Sequence, residues 1–368
     1  MAYIRKRGTR YYFTIWTKSN GNIIRHEYAG GTSRSEAEKA YRKFMIETDR
    51  SGKYFEPSEM LFGLFLEEWI EKYVVHYMKP NTIDSYTSTI KNHIIPKFGN
   101  FPLSEITTAV LQDWIIELKN TYSKSTVKTI MSCLRSALRW AVANRNYLSL
   151  NPMDNVKLPP YRSSFNKIKI FSNDDITAIF EKFPYGHQIH MPCTLAYYTG
   201  MRLGECLALL WDNIDMDNRT IRITGTIYDK NGIPKIMSTK TKSSMRTISF
   251  GTKLYNELKN HKVWQEKNRL KYGSKYKLNN FVCTMKNGKP MTSNNIKYFN
   301  MWCRDTFGYG SFHSFRHTHA SLLLEHGLPL DYVSKRLGHS SIYTTANVYD
   351  TITDKREQEA VDKMESFL

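Results

Sequence analysis

The sequence predicts a multidomain chain: a small α+β N-terminal domain (three-stranded sheet plus helix), an all-α helical bundle, and a mixed, mainly-α domain with a small antiparallel sheet. Three observations lead there. At 368 residues the chain exceeds one ordinary core. Apolar residues alternate over YYFTIWTK and NIIRHEYAG, then recur at three-and-four spacing from Leu61 onward. Two polar stretches, SGKYFEPS and the proline-bearing NPMDNVKLPPYRSS, interrupt the periodicity. The expected boundaries are 1–55, 60–150, a linker over 151–168, and 169–368.

In the first part, SNGN separates two alternating runs and SRSEAEKAYRKFMIETDR follows as a helix. This segment holds twelve Lys/Arg against five Asp/Glu, with aromatic residues between the basic ones. Arg5, Lys6, Arg7 and Arg10 are its candidate nucleic-acid contacts; a solvated basic face is the simpler reading. In the second part, proline punctuation at Pro80, Pro96 and Pro102 divides four helices near 61–77, 81–94, 107–119 and 124–145. The last carries an apolar stripe from Val127 to Val142, and a different face bears Lys124, Lys128, Arg135 and Arg139, candidate phosphate contacts.

The third part opens with a helix capped near Ser172 or Asn173, followed by helices near 187–199 and 203–212. Strands are expected around TIRITGTI and as a hairpin over IPKIMSTKTKSSMRTISF. Further helices fall near 253–270, 293–306, 314–326, 329–337 and 342–350, and an amphipathic tail follows.

A formal net charge of +19 points to a polyanionic partner, nucleic acid before an anionic membrane. No run of about 18 apolar residues appears, and the N-terminus lacks a signal-peptide core, so an intracellular, membrane-free protein is expected. Five widely spaced cysteines without a CxxC pair read as reduced, buried thiols and argue against a zinc ribbon.

Chemistry-bearing residues concentrate in TGMRLGECLALLW, STKTKSSMRTI, FHSFRHTHASLLL and LGHSSIYTTANVYD. Breaking a phosphodiester without a metal requires forked, permanently charged donors for the nonbridging oxygens, an acid for the leaving oxygen, and a nucleophile. Arginine, lysine or histidine, and tyrosine meet those needs, the tyrosine once neighbouring cations lower its pKa from about 10. Arg202 lies between two predicted helices, His313 and Arg316 share a helical face, and His339 precedes Tyr349 by ten residues. The competing reading of FHSFRHTHA is a metal-dependent hydrolase on His313 and His317, for which Glu325 is the nearest downstream carboxylate.

Together the four segments resemble the signature boxes of the tyrosine recombinases, the integrases of phages and conjugative elements. TGMRLGE is similar to the first arginine box, HSFRHTHA to the His-x-x-Arg box, and LGHSSIYTTANVY to the box of the final histidine and nucleophilic tyrosine. The likeness is strongest over about 170–350; residues 61–150 resemble the core-site-binding domain and the N-terminal segment an arm-site-binding domain. It implies a site-specific DNA recombinase that integrates or excises a mobile element without ATP, metal or other cofactor. Tyr349 would form a 3′-phosphotyrosine, Arg202 and Arg316 would clamp the phosphate, His313 would handle the tyrosine proton, and His339 would hydrogen-bond the phosphate. Glu205 would support the site, and Lys240, with Lys242 as its rival, would be the general acid on a β-hairpin. Tyr343 is the rival nucleophile; His317 becomes a supporting or packing residue and His319 a surface or core one. The implied partners are double-stranded attachment-site DNA and three further copies in a homotetramer. An accessory DNA-bending or excision factor is left open, and the expected location is the cytoplasm of a bacterial host, with the nucleoid. A type IB topoisomerase-like enzyme and a non-catalytic DNA-binding regulator are the alternatives.

Overall fold

The computed structural model describes residues 3–19, 22–51, 58–145, 147–161, 169–230, 233–238, 245–339, 341–343 and 345–346. The chain divides into two compact units, Met1–Ser163 and Ser164–Leu368.

The first unit begins with an antiparallel sheet, β1 (Tyr3–Arg7), β2 (Arg10–Ser19) and β3 (Asn22–Gly31), and a helix α1 (Arg34–Ser51). Strand alternation turns Phe13 inward, where it meets Tyr28 of β3 and Tyr41 and Phe44 of α1. Lys6, Arg7 and Arg10 are exposed, whereas Arg5 donates to Glu27 Oε2 at 2.8 Å.

The bundle follows. Its first long helix is α2 (Phe62–Trp69), a π-helical turn (Ile70–Val74) and α3 (Val75–Tyr77); its second is α4 (Pro80–Thr89), another π turn (Ile90–Ile94) and α5 (Ile95–Phe98). The second helix therefore runs past Pro96 instead of stopping at 94. The π turn closes with Ile95 N–H donating to Ile90 O, an i→i+5 bond that shifts the ladder immediately before Pro96 and so accommodates the N–H that proline lacks. Then come α6 (Thr108–Thr121) and α7 (Lys124–Arg145), the latter with the bounds its spacing predicts. Val127, Ile130, Leu134, Ala137, Leu138 and Ala141 of α7 are all buried, facing Phe65, Trp69 and Ile94 within one core. Lys124, Lys128 and Arg139 are exposed, while Arg135 is half-buried and donates to Met153 O. Composition marks 151–168 as a linker, yet 151–161 are fastened to the bundle. Met153 and Val156 are buried in its core, and Gln112 accepts from Lys157 N–H while donating to its carbonyl.

The second unit contains α8 (Asn173–Lys182), α9 (His190–Thr199) and α10 (Leu203–Leu207). Ser172 caps α8 in a reciprocal box with Asp175, as the sequence indicates. The helix expected over 203–212 is only five residues long. Leu209 O instead accepts from Val282 N–H and Trp211 N–H donates to Asn280 O, so a strand-like pairing overrides the helical propensity of LALLW. The strands are β4 (Ile214–Asp215), β5 (Thr220–Ile223), β6 (Gly225–Lys230), β7 (Ile233–Ser238) and β8 (Arg246–Ser249). They form two small antiparallel sheets, β4-β5-β8 and β6-β7. The single hairpin expected over IPKIMSTKTKSSMRTISF is thus corrected: β7 pairs with β6 and β8 with β5, because inward-facing Ile221 and Ile248 require burial beside one another. Helices α11 (Thr252–Tyr272), α12 (Lys297–Phe307), α13 (Ser314–Glu325) and α14 (Leu330–Leu337) complete the unit. Of the helix expected over 342–350, only 342, 343, 345 and 346 are described.

Gly200 ends α9 with φ +68°, and a Cβ there would lie 2.5 Å from Leu337 Cδ2 and 2.8 Å from the His319 ring. Gly200→Ala combines left-handed strain with overpacking, so it should cost about 2–4 kcal/mol, read as a lower urea midpoint with an unchanged slope.

Candidate active site

The C-terminal end of α14 organises the site. Helices leave their last carbonyls without internal partners, and the same end carries partial negative charge. Gly338, at φ +67°, closes α14 in a Schellman turn: its N–H donates to Lys335 O, and His339 N–H donates to Ser334 O. Three successive carbonyls remain, and each accepts from a different arginine. Arg336 O takes Arg246 Nε at 2.7 Å, Leu337 O takes Arg316 Nη2 at 2.8 Å, and Gly338 O takes Arg202 Nη2 at 3.0 Å.

Each arginine comes from a different element. Arg202 precedes α10, and its backbone N–H donates to Glu205 Oε2 at 3.0 Å while Nη1 donates to Oε1 at 2.9 Å. Arg246 opens β8 and forks onto the same carboxylate, Nη1 to Oε1 at 3.2 Å and Nη2 to Oε2 at 2.9 Å. Arg316, buried in the first turn of α13, also donates from Nη1 to Gly200 O at 2.8 Å. Burial opposes the charge on Glu205, but Arg246 and then Arg202 outweigh it and hold the carboxyl below its ordinary pKa. Burial and Arg202 push Arg316 down to about 9, which still leaves it cationic at neutral pH. These three guanidiniums and one carboxylate carry a net charge of +2, set at the head of α13 and the tail of α14.

The histidines separate by environment. His313 sits at the start of α13, exposed, with its ring edge-on to His317 at 4.8 Å. Partial desolvation, then Arg316 and Arg202, hold it below its ordinary pKa. His317 is half-buried and depressed to about 4 by desolvation and then His313. His319 is a core residue: Arg336 Nε donates to its Nε2 at 3.3 Å, so the proton resides on Nδ1 and donates to Tyr197 O at 2.8 Å. His339 follows the Schellman turn, with Nδ1 2.7 Å from the hydroxyl of fully buried Thr345. Burial and then Arg316 and Arg202 lower its pKa to about 3, so it is neutral under physiological conditions.

Arg202, Glu205, His313, Arg316 and His339 are thus drawn to one place. Lys240, Lys242 and Tyr349 lie outside the described residues. Tyr343 is 78% exposed. For the metal reading, no three His, Cys, Asp or Glu are grouped to hold an ion among the described residues, and Glu325 instead accepts from Ser321. All five cysteines are free and buried. Sequence reasoning gave no role to Arg246 or Thr345. A signal for the first existed: Arg246 shares the inward facing of Ile248 on β8, an unusual position for an arginine.

The phage integrase family model matches residues 170–356, and a phage integrase N-terminal SAM-like domain model matches 61–119. A "Tyrosine recombinase XerC-like" protein of Caldanaerobacter subterraneus subsp. tengcongensis is 31% identical, covering 98% of this chain and 97% of its own. The Tn1549 transposon integrase, solved in complex with transposon right end DNA, superposes with a TM-score of 0.63 at 19% identity, over 82% of this chain and 100% of that one. A lambda integrase tetramer bound to a Holliday junction gives 0.56 at 19% identity, over 94% of each chain. At those identities the two structures establish a shared fold.

Proposed function

The chain belongs to the phage integrase family, and from that membership we propose how its residues divide the work of cutting and rejoining DNA. The enzyme is a site-specific recombinase of the tyrosine type, acting in the integration of a mobile element. The observation that carries the residue assignments is the pairing of Arg202 and Arg316 on adjacent carbonyls, with Arg202 also braced by ionised Glu205.

In-line attack on a phosphodiester gathers negative charge on two nonbridging oxygens. A preorganised pocket of net charge +2 favours that state over the singly charged ground state. Arg202 and Arg316 bind those oxygens. Tyr349 forms the new P–O bond as the bond to the 5′ oxygen breaks, and Lys240 protonates the leaving oxygen. His313, neutral at physiological pH, accepts the tyrosine proton. In this reading the Thr345 hydroxyl, 2.7 Å from Nδ1 of His339, donates to it, so the ring proton is assigned to Nε2 as a neutral donor for the phosphate. Reversal of the same steps reseals the strand, and the ester conserves the bond energy.

In this reading residues 60–150 grip the core site, with Lys124, Lys128 and Arg139 on phosphates, and residues 1–55 grip an arm site through Lys6, Arg7 and Arg10. Arg5 and Arg135 contribute less, since Glu27 and Met153 O already engage them. Residues 169–368 form the catalytic domain. Assembly is a homotetramer on two duplexes in a bacterial cytoplasm, with an accessory bending or excision factor where the attachment site requires one.

The test uses nicked suicide duplexes drawn from the DNA flanking the element. A detergent-stable protein–DNA adduct with 3′-phosphate polarity is expected, undiminished in EDTA. Loss on chelation with recovery in zinc would favour a metal hydrolase, sequence-independent relaxation of supercoiled plasmid a topoisomerase, and binding without any adduct a regulator.

A further inference from the structure

We infer that Arg246 is a positioning residue for strand cleavage, holding Arg202 in place through the carboxylate the two share, Glu205. The inference rests on the assignment of Arg202 to the scissile phosphate. Arg246 commits its fork to the protein: Nε donates to Arg336 O, and Nη1 and Nη2 both donate to the Glu205 carboxylate. Arg202, 37% exposed, is the partner that opens to solvent. Glu205 is 3% exposed and each of its oxygens accepts from both arginines, Oε1 from two side chains and Oε2 from Arg246 and the Arg202 backbone.

A buried carboxylate with one exposed cation as its only partner would be free to protonate or rotate, and Arg202 would lose its brace. Arg246 prevents both, because its planar fork fixes the carboxylate plane. A second tie points the same way. Arg246 Nε holds Arg336 O two residues before Gly338, whose carbonyl holds Arg202, so one side chain sets both anchors of the phosphate-binding arginine.

The experiment compares full-length Arg246→Met, Arg246→Lys, Glu205→Gln and the Glu205→Gln/Arg246→Met pair, with Arg202→Lys as control. Single-turnover adduct formation at saturating suicide duplex, equilibrium affinity for that duplex and the thermal midpoint are measured for each. Arg246→Met is expected to slow adduct formation about 100-fold with affinity within about twofold, and Arg246→Lys to recover about tenfold of that loss, remaining about tenfold slower than wild type. The double variant should be no slower than its slower parent, since both remove one brace. Glu205 is faced by Arg202 from its own loop, Arg246 from β8 and Arg316 from α13. Removing Arg246 raises the pKa of Glu205, so the acid limb of the rate profile should move to higher pH.

An Arg246→Met rate within about twofold of wild type overturns the inference. So does a loss that follows the thermal midpoint alone, with no recovery in lysine and no movement of the acid limb. Should Arg246→Met fail to fold, Arg246→Lys decides: it keeps the charge and loses the fork, so an unchanged rate and acid limb overturn the inference. Arg202→Lys cleaving at the wild-type rate would overturn the underlying phosphate assignment instead.

Discussion

Tyr349→Phe is expected to reduce covalent adduct formation by at least about 10⁴-fold while leaving affinity for the attachment-site duplex within about twofold. The substitution removes one oxygen, the atom that must bond to phosphorus, and no other group in the site can substitute for it without changing the product. The aromatic ring stays, so whatever packing position 349 contributes is retained. Denaturing gels of the suicide-substrate reaction read the adduct, and filter binding reads the affinity. Tyr343, 78% exposed and six positions earlier, is the control: Tyr343→Phe should cleave normally. Adduct in Tyr349→Phe combined with its loss in Tyr343→Phe would transfer the nucleophile to Tyr343.

The second large effect is expected at Arg316. Arg316→Lys should slow cleavage by about 10³-fold, the scale of losing a preorganised transition-state donor. The ammonium keeps the charge but loses the planar fork, so it is unable to span Gly200 O and Leu337 O and still present donors to a phosphate. Arg316→Ala should do more: it leaves two buried carbonyls unsatisfied at about 1–3 kcal/mol each and lowers the thermal midpoint as well. The histidines of the same helix provide the contrast. His317→Gln should retain most activity, because the His317 ring packs edge-on against His313 and burial, with its pKa lowered to about 4, leaves it neutral at working pH. A single-turnover rate for Arg316→Lys near wild type would remove this residue from the phosphate grip.

Much of this organisation is local and therefore legible along the chain. Alternation predicted the N-terminal strands, and three-and-four spacing predicted the buried stripe and the bounds of α7. The arginine and histidine boxes are legible through their resemblance to the tyrosine-recombinase signatures, and their residue types are those that phosphodiester chemistry asks for. The misreadings share one cause. LALLW has helical propensity but pairs with residues 280–282, and β7 and β8 follow one another along the chain yet join different sheets. Pro96 should end a helix but follows a π turn that absorbs the missing donor.

The sequence by itself therefore pointed to the N-terminal sheet, the buried stripe of α7 and, through its charge, a polyanionic partner. Tertiary structure alone decided the partners of the arginines. Arg202 meets Gly338 O across 136 positions, Arg316 meets Gly200 O across 116, and Arg246 meets Glu205 across 41. It also decided that His319 belongs to the core and that Thr345 holds His339. The physical reason is that a buried polar atom takes whichever complementary group folding brings within about 3 Å, and sequence periodicity carries no record of that distant group.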